Sequence, residues 1–301
     1  MAKGFEIRGK KWYIFLAMDK TDILVFDVGL GQSVFVYSHM HPTYGMLIDC
    51  GNTPEFDPVD FLIAKGYLPN NSLSKLVITN YDQDHFSGMP NLRSKVGIRT
   101  VMFAPNLTSP EIKDLKEKPH TDALVQVCEV KDTYIHPIPP DFVPPYIMRT
   151  FYLQKAHLDG HTTNNLSQIV FIEHQGTVVC VSGDLEEKGW KALLVAEPEV
   201  KTWLARTNIF IASHHGRENG YHPDVFLHCK PECIIISDKD IVHETQEAMS
   251  SVYAGQVVGN GVSLNGLTLG TRKVLTTRSD GHLYIQLFPG GTRAYSNFSH
   301  E

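Results

Sequence analysis

Four stretches of this chain join a short apolar run to a knot of polar, ligand-capable side chains. A strand that stops in carboxylates and imidazoles delivers them to a loop on a rigid scaffold, where reactive centres are built. The densest knot is Thr79-Asn80-Tyr81-Asp82-Gln83-Asp84-His85, directly after Leu76-Val77-Ile78. Asp82, Asp84 and His85 offer oxygen and imidazole donors of the kind that suit zinc, manganese or iron. The same residues also fit a loop whose aspartates cap their own backbone. Val179-Cys180-Val181 runs into Ser182-Gly183-Asp184, where the glycine permits close backbone approach and the carboxylate leaves the strand end. Gly-Asp turns are common, so this segment is weak alone. Ile209-Phe210-Ile211-Ala212 ends in Ser213-His214-His215-Gly216, and adjacent histidines there point to a ligand or a general acid–base. The fourth knot, Thr162-Thr163-Asn164-Asn165-Leu166-Ser167, leads into a strand. Its amides and hydroxyls, Asn165 and Ser167 foremost, either orient a substrate or cap a turn.

Elsewhere short apolar runs alternate with turn residues. Residues 12–16, 23–28, 32–37, 45–49 and 75–79 read as strands, punctuated by Gly29, Gly31 and Gly51, and 56–65 as a short helix. Residues 167–173 and 177–182 predict a hairpin turning at His174-Gln175-Gly176. Residues 186–194 predict a helix, and 209–212 and 233–237 buried strands. A second hairpin is expected from 273–277 and 282–288, around Ser279-Asp280-Gly281. Pro105, Pro110, Pro119, Pro137, Pro139, Pro140, Pro144 and Pro145 crowd residues 104–150, which predicts loop or extended structure. That stretch reads as an insertion over one face, either a substrate lid or a solvent-facing loop. Strand runs separated by helices imply two sheets with helices outside, in a single domain over 1–301.

The chain has 301 residues, 42% of them hydrophobic, enough to bury a substantial core. A net charge of −6 lacks the basic balance of a protein that coats duplex nucleic acid. Residues 1–11 are charged and lack the apolar region of a signal peptide. No apolar run approaches the roughly 20 residues of a membrane span. Cys50 and Cys180 sit in apolar runs, and Cys229 and Cys233 lack the second pair a zinc knuckle needs. All four read as structural thiols of a cytoplasmic protein in a reducing compartment, with no membrane association.

In this order the segments resemble the metallo-β-lactamase superfamily, and within it the hydrolase domain of the ComEC family of competence DNA-uptake proteins. Phe26-Asp27-Val28-Gly29-Leu30-Gly31-Gln32-Ser33 looks like that family's Asp-Val-Gly-Gln-Gly-Asp stretch, and Leu47-Ile48-Asp49-Cys50-Gly51 like its Leu-Ile-Asp-Thr-Gly. Asp82-Gln83-Asp84-His85 resembles the end of its His-x-Asp-x-Asp-His motif. Asn164-Asn165-Leu166-Ser167, Ser182-Gly183-Asp184 and Ser213-His214-His215-Gly216 resemble its Asn-Asn-x-Ser, Gly-Asp and His-His-Gly. Thr277-Arg278-Ser279-Asp280-Gly281 resembles its closing Arg-Thr-x-x-Gly turn. The likeness covers roughly residues 22 to 288.

The resemblance implies an α/β fold, the four-layer αββα sandwich, with metal at one edge between the sheets. It implies one or two divalent ions, zinc or manganese, and a second site made of Asp84, His85, Asp184 and His215. The first site is depleted: Asn80 stands where the family has its first His, and the Asn165 region stands where the broader superfamily has another. Asp82, bridging Asp184, and His161 or Asn165 remain as its ligands. In this reading the metal lowers the pKa of bound water from about 15.7 toward neutrality, Asp84 orients or deprotonates that water, and His243 protonates the leaving group. His214 supports the ligands or contacts a phosphate. The expected activity is a phosphodiesterase or nuclease acting on nucleic acid or nucleotides. The alternatives are a hydrolase of a lactone, thioester or lactam, and a non-catalytic metal-binding module serving a protein partner in a complex.

Overall fold

A computed structural model describes residues 3–7, 10–14, 20–134, 144–157, 163–239, 244–265, 270–288 and 291–296. The chain opens with the antiparallel pair β1 (Lys3–Ile7) and β2 (Lys10–Ile14). Then come β3 (Thr21–Val25), β4 (Val34–Ser38), β5 (Gly45–Ile48), α1 (Pro58–Ala64), β6 (Ser72–Ile78), α2 (Met89–Lys95) and β7 (Gly97–Phe103). Helices α3 (Ser109–Asp114) and α4 (Asp122–Thr133) precede β8 (Ile147–Tyr152), β9 (Gln168–His174) and β10 (Thr177–Val181). The second half continues with α5 (Glu187–Ala196), α6 (Glu199–Ala205), β11 (Thr207–Ile211), α7 (Val225–His228), β12 (Cys233–Ile236) and α8 (Glu244–Ala254). It closes with β13 (Val262–Asn265), β14 (Thr271–Arg272), β15 (Val274–Thr276), α9 (Thr277–Asp280), β16 (Leu283–Phe288) and β17 (Gly291–Ser296).

One sheet has the order β14-β13-β17-β16-β3-β4-β5-β6-β7, the other β15-β12-β11-β10-β9-β8. Strand alternation sorts the apolar residues into two cores. Ile23, Val25, Val36, Ile48 and Val77 of the first sheet meet Val170, Ile172, Val179, Ile211 and Ile235 of the second in a core that, among the described residues, includes no helical one. The intervening Leu24, Phe35, Leu47, Leu76, Phe171, Cys180 and Phe210 face outward, with Leu62, Leu92, Trp190, Trp203 and Tyr253 of the helices. Both faces of each sheet are therefore covered, which is why these strands read as unbroken apolar runs rather than alternating ones. The result is the expected helix–sheet–sheet–helix sandwich. Among the described residues, no helix is long and apolar enough to cross a membrane.

The first predicted hairpin is present. His174 pairs with Thr177, and Gln175 and Gly176 both take positive φ (51° and 84°), the two-residue turn that matches strand twist. Two expectations need correction. The proline-rich stretch is not all loop: Pro110 sits in the first turn of α3, where its missing N–H costs nothing, behind a Thr108–Glu111 capping box. The proline-free interval after Pro119 folds as α4, capped by Thr121, and buries Leu124, Val127 and Cys128. The second hairpin does not form. β15 pairs in parallel with β12, and β16 joins β3 in the other sheet. Between them the Thr276 hydroxyl accepts the Ser279 N–H, capping α9, and Gly281 (φ 66°) turns the chain across. Alternation alone does not say which sheet a strand joins. Cys50, Cys180, Cys229 and Cys233 are buried free thiols.

Candidate metal centre

The centre forms where β6, β10 and β11 end. After Ile78 the chain enters a single helical turn at Gln83–His85, and two glycine-bearing loops close over it. A Cβ on Gly31 would sit 2.6 Å from the Asp84 carbonyl oxygen, and one on Gly51 only 2.3 Å from it. The Gln32 N–H donates to that same carbonyl (3.3 Å), and the Cys50 N–H donates to the His85 carbonyl (2.8 Å). The two glycine motifs are thus a cradle for the Asp84-His85 backbone. On the other sheet, Gly183 (φ 54°) turns the chain out of β10 so that Asp184 follows, and its carbonyl accepts the His214 N–H (3.0 Å). His214 and His215 both take left-handed φ (48° and 55°), rare for residues with a Cβ.

Asp84, His85, Asp184 and His215 each present one donor atom, and all four atoms lie within 4.8 Å of one another. His85 Nε2 is 3.1 Å from Asp184 Oδ1, while His215 Nε2 is 3.2 Å from Asp84 Oδ2 and 3.5 Å from Asp184 Oδ2. Despite this closeness, His85 Nε2, His215 Nε2 and Asp184 Oδ1 are buried and make no hydrogen bond. Each ring's other nitrogen is occupied. His85 Nδ1 lies 2.8 Å from Asp49 Oδ2, and His215 Nδ1 lies 3.0 Å from the Ser237 carbonyl oxygen. With Nδ1 donating outward, both Nε2 lone pairs face the centre. Asp49 is itself fixed by Gln32 Nε2 (2.8 Å), the Thr79 N–H (2.7 Å) and the Thr79 hydroxyl (2.5 Å).

Charge balance points the same way. Burial pulls His215 down, but Asp184 and Asp84 together push it up to about 9. His85 is raised too: burial opposes protonation, and Asp184 with Asp49 overrides it. Burial raises Asp84 and Asp184, yet the two imidazoles outweigh it and hold both carboxyls below their ordinary value. Buried Asp184 and part-exposed Asp84 together demand nearby positive charge, which the two rings supply when protonated and an ion supplies when they give up those protons to ligate it. Orphaned donors, outward-tied rings and this demand fit a divalent ion held by two imidazoles and two carboxylates. Asp84 is the exposed member, its side chain 36% accessible against 0–3% for the other three, so the centre opens on its side.

The other predicted residues go elsewhere. Asp82 does not join the cluster: Lys116 Nζ pairs with its Oδ1, which also accepts the Thr163 hydroxyl (2.8 Å). Ser167 is 1% exposed, and its hydroxyl accepts the Asp184 N–H (3.2 Å), so it braces the loop that carries Asp184. Asn165 is likewise buried. Its Oδ1 accepts the N–H groups of Glu186 (3.2 Å) and Gly189 (3.0 Å), capping α5. His214 lies beside His215, with Arg217 Nη1 3.2 Å from its Nε2 and Glu186 Oε1 3.7 Å from its Nδ1; burial lowers its pKa. His243 and His161 lie outside the described residues. Asp49, Thr79 and Lys116 carry roles that no motif chemistry assigned. Asp49 carried a signal, since it ends an apolar run as the ligand residues do; Lys116 carried none.

Residues 27–221 match the model of the family described as the metallo-beta-lactamase superfamily. The chain is 22% identical over 241 residues to ComE operon protein 3 of Bacillus subtilis (strain 168), spanning 72% of this chain but only 28% of that protein's length. Among solved structures, CmlA, a diiron β-hydroxylase from Streptomyces venezuelae, superposes with a TM-score of 0.50 at 13% identity, over 89% of this chain and 54% of that one. The metallo-β-lactamase fold protein YhfI from Bacillus subtilis gives a TM-score of 0.45 at 13% identity, over 84% and 98% of the two chains.

Proposed function

Since the chain belongs to the metallo-β-lactamase superfamily, we propose that it is a metal-dependent phosphodiester hydrolase acting on nucleic acid or nucleotides. The observation that carries the hydrolase reading is the set of buried, hydrogen-bond-free donor atoms on His85, Asp184 and His215, gathered with Asp84. A divalent ion bound there, zinc or manganese, supplies Lewis acidity and acidifies water. The chain's own residues do the rest. Asp49 and the Ser237 carbonyl hold the two imidazoles in one tautomer and one orientation. Asp84, on the open side, orients the attacking water and takes its proton. The choice of phosphodiesters draws on the motif likeness to the ComEC hydrolase domain and on Arg217, which contacts His214 beside the ligand His215.

The test is a metal-dependence screen of the purified chain against labelled single-stranded DNA, RNA and cyclic dinucleotides. Cleavage is expected to require added manganese or zinc and to fall at least 100-fold in Asp84→Ala. Cleavage that persists in that variant rejects this site. Hydrolysis of lactones or nitrocefin with no phosphodiester cleavage replaces the substrate class.

A further inference from the structure

The residues at the first-site positions behave in the opposite way to those at the second. Around the four-residue cluster, donor atoms are buried without hydrogen-bond partners. At the first-site positions, the side chains spend their polar atoms on one another. Asn80 Nδ2 donates to Asn164 Oδ1 (3.0 Å), and Asn80 Oδ1 accepts the Asp82 N–H (3.1 Å). Asn165 is spent on the N-terminus of α5 and on Glu186. Asp82 Oδ1 takes Lys116 Nζ and the Thr163 hydroxyl, and Lys116 in turn donates to Thr163 (3.0 Å). Two asparagines in place of imidazoles are poor ligands for a borderline divalent ion. Asp82, the carboxylate that this site does not share with the second, is already matched to a cation of the chain's own. Among the described residues, which do not include His161, the donor set does not fit a first metal ion.

We propose that the Lys116 ammonium takes the place of a first-site ion, so that the chain holds one metal, and that Lys116 receives the anionic group of the substrate beside it. The lysine lies two residues beyond the end of α3. Its side chain is 19% exposed and that of Asp82 32%, so the pair is shielded but reachable from solvent. An ammonium with three donors, two of them on Asp82 and Thr163, keeps one for a phosphate oxygen. The phosphate part rests on the hydrolase reading above; the one-ion part does not.

Calorimetric titration of the full chain with manganese, and with zinc, tests both. One ion per chain is expected. A second ion bound with comparable affinity overturns the proposal. In the metal-loaded protein, inorganic phosphate is the probe. Lys116→Met is expected to weaken phosphate binding about tenfold at low salt, the loss of one charged hydrogen bond. Ion stoichiometry and the circular dichroism spectrum should stay unchanged. Lys116→Arg, which keeps the charge, should recover most of the affinity. Phosphate binding unmoved in Lys116→Met overturns the role given to the lysine. If no phosphodiester is cleaved while one ion binds and phosphate depends on Lys116, the substrate reading falls and this one stands.

Discussion

Asp49 shows how much a single side chain outside the ligand set controls. Its carboxylate is fully buried, receives three donors from Gln32 and Thr79, and faces His85 Nδ1 at 2.8 Å. Exchanging it for asparagine leaves the volume intact but lets an amide N–H face the imidazole, so the ring can turn its lone pair away from the centre. Asp49→Asn is expected to weaken metal affinity by about 10- to 100-fold, measured by competition with a chromophoric chelator. Affinity within twofold of the unaltered chain would remove Asp49 from the metal's support. At this scale the sequence was legible wherever a strand's apolar run stopped in a ligand. Asp84, His85, Asp184 and His215 obey that rule, and the structure brings all four together. It was illegible where a residue's partner is set by tertiary contact. Asp82 is spaced like a ligand and becomes a lysine's partner; Asn165 and Ser167 look like substrate contacts and are consumed holding α5 and Asp184.

At the scale of elements, loops rather than strands carry the precision. Gly51 admits the Asp84 carbonyl so closely that an added methyl would overlap it, with the Gln32 carbonyl 2.9 Å away on the other side. Both obstacles are backbone, so no side chain can swing aside. Gly51→Ala is expected to cost about 1–3 kcal/mol in urea unfolding, and to lower metal affinity by displacing Asp84. A variant as stable as the parent would mean that the loops yield more readily than their hydrogen bonds imply. The elements also explain which topology was readable. The β9–β10 hairpin declares itself in a two-residue Gln-Gly turn, whereas β15 and β16 alternate just as well but are separated by the four-residue α9 and join different sheets. Helix α4 is hidden in the sequence because it lies inside a proline-rich stretch whose prolines flank it and do not interrupt it.

For the whole molecule, the centre is a bridge. Asp84 and His85 follow β6 of the larger sheet, while Asp184 and His215 follow β10 and β11 of the smaller one. An ion bound to all four ties the sheets together at one edge and offsets the electrostatic cost of buried Asp184 beside part-exposed Asp84. Metal at a hundredfold excess over its Kd stabilises the native state by about 2.7 kcal/mol, which raises Tm by roughly 5 °C. Scanning calorimetry of the chelator-stripped and reloaded protein measures this shift. No shift on reloading would mean that the ion does not bind the folded cluster. In Asp84→Ala the shift should shrink, because the bridge loses one of its two anchors on the larger sheet.

That bridging has a consequence for how the protein is made. Synthesis runs from the N-terminus, so the first sheet's ligands leave the ribosome long before Asp184 and His215. Until His215 has emerged and β11 has docked, a nascent chain offers a passing ion only Asp84 and His85, a weak two-point grip. Loading of an ion on all four donors would thereby wait until both halves of the sandwich have met, and a chain truncated before that strand would be born without a seat for it.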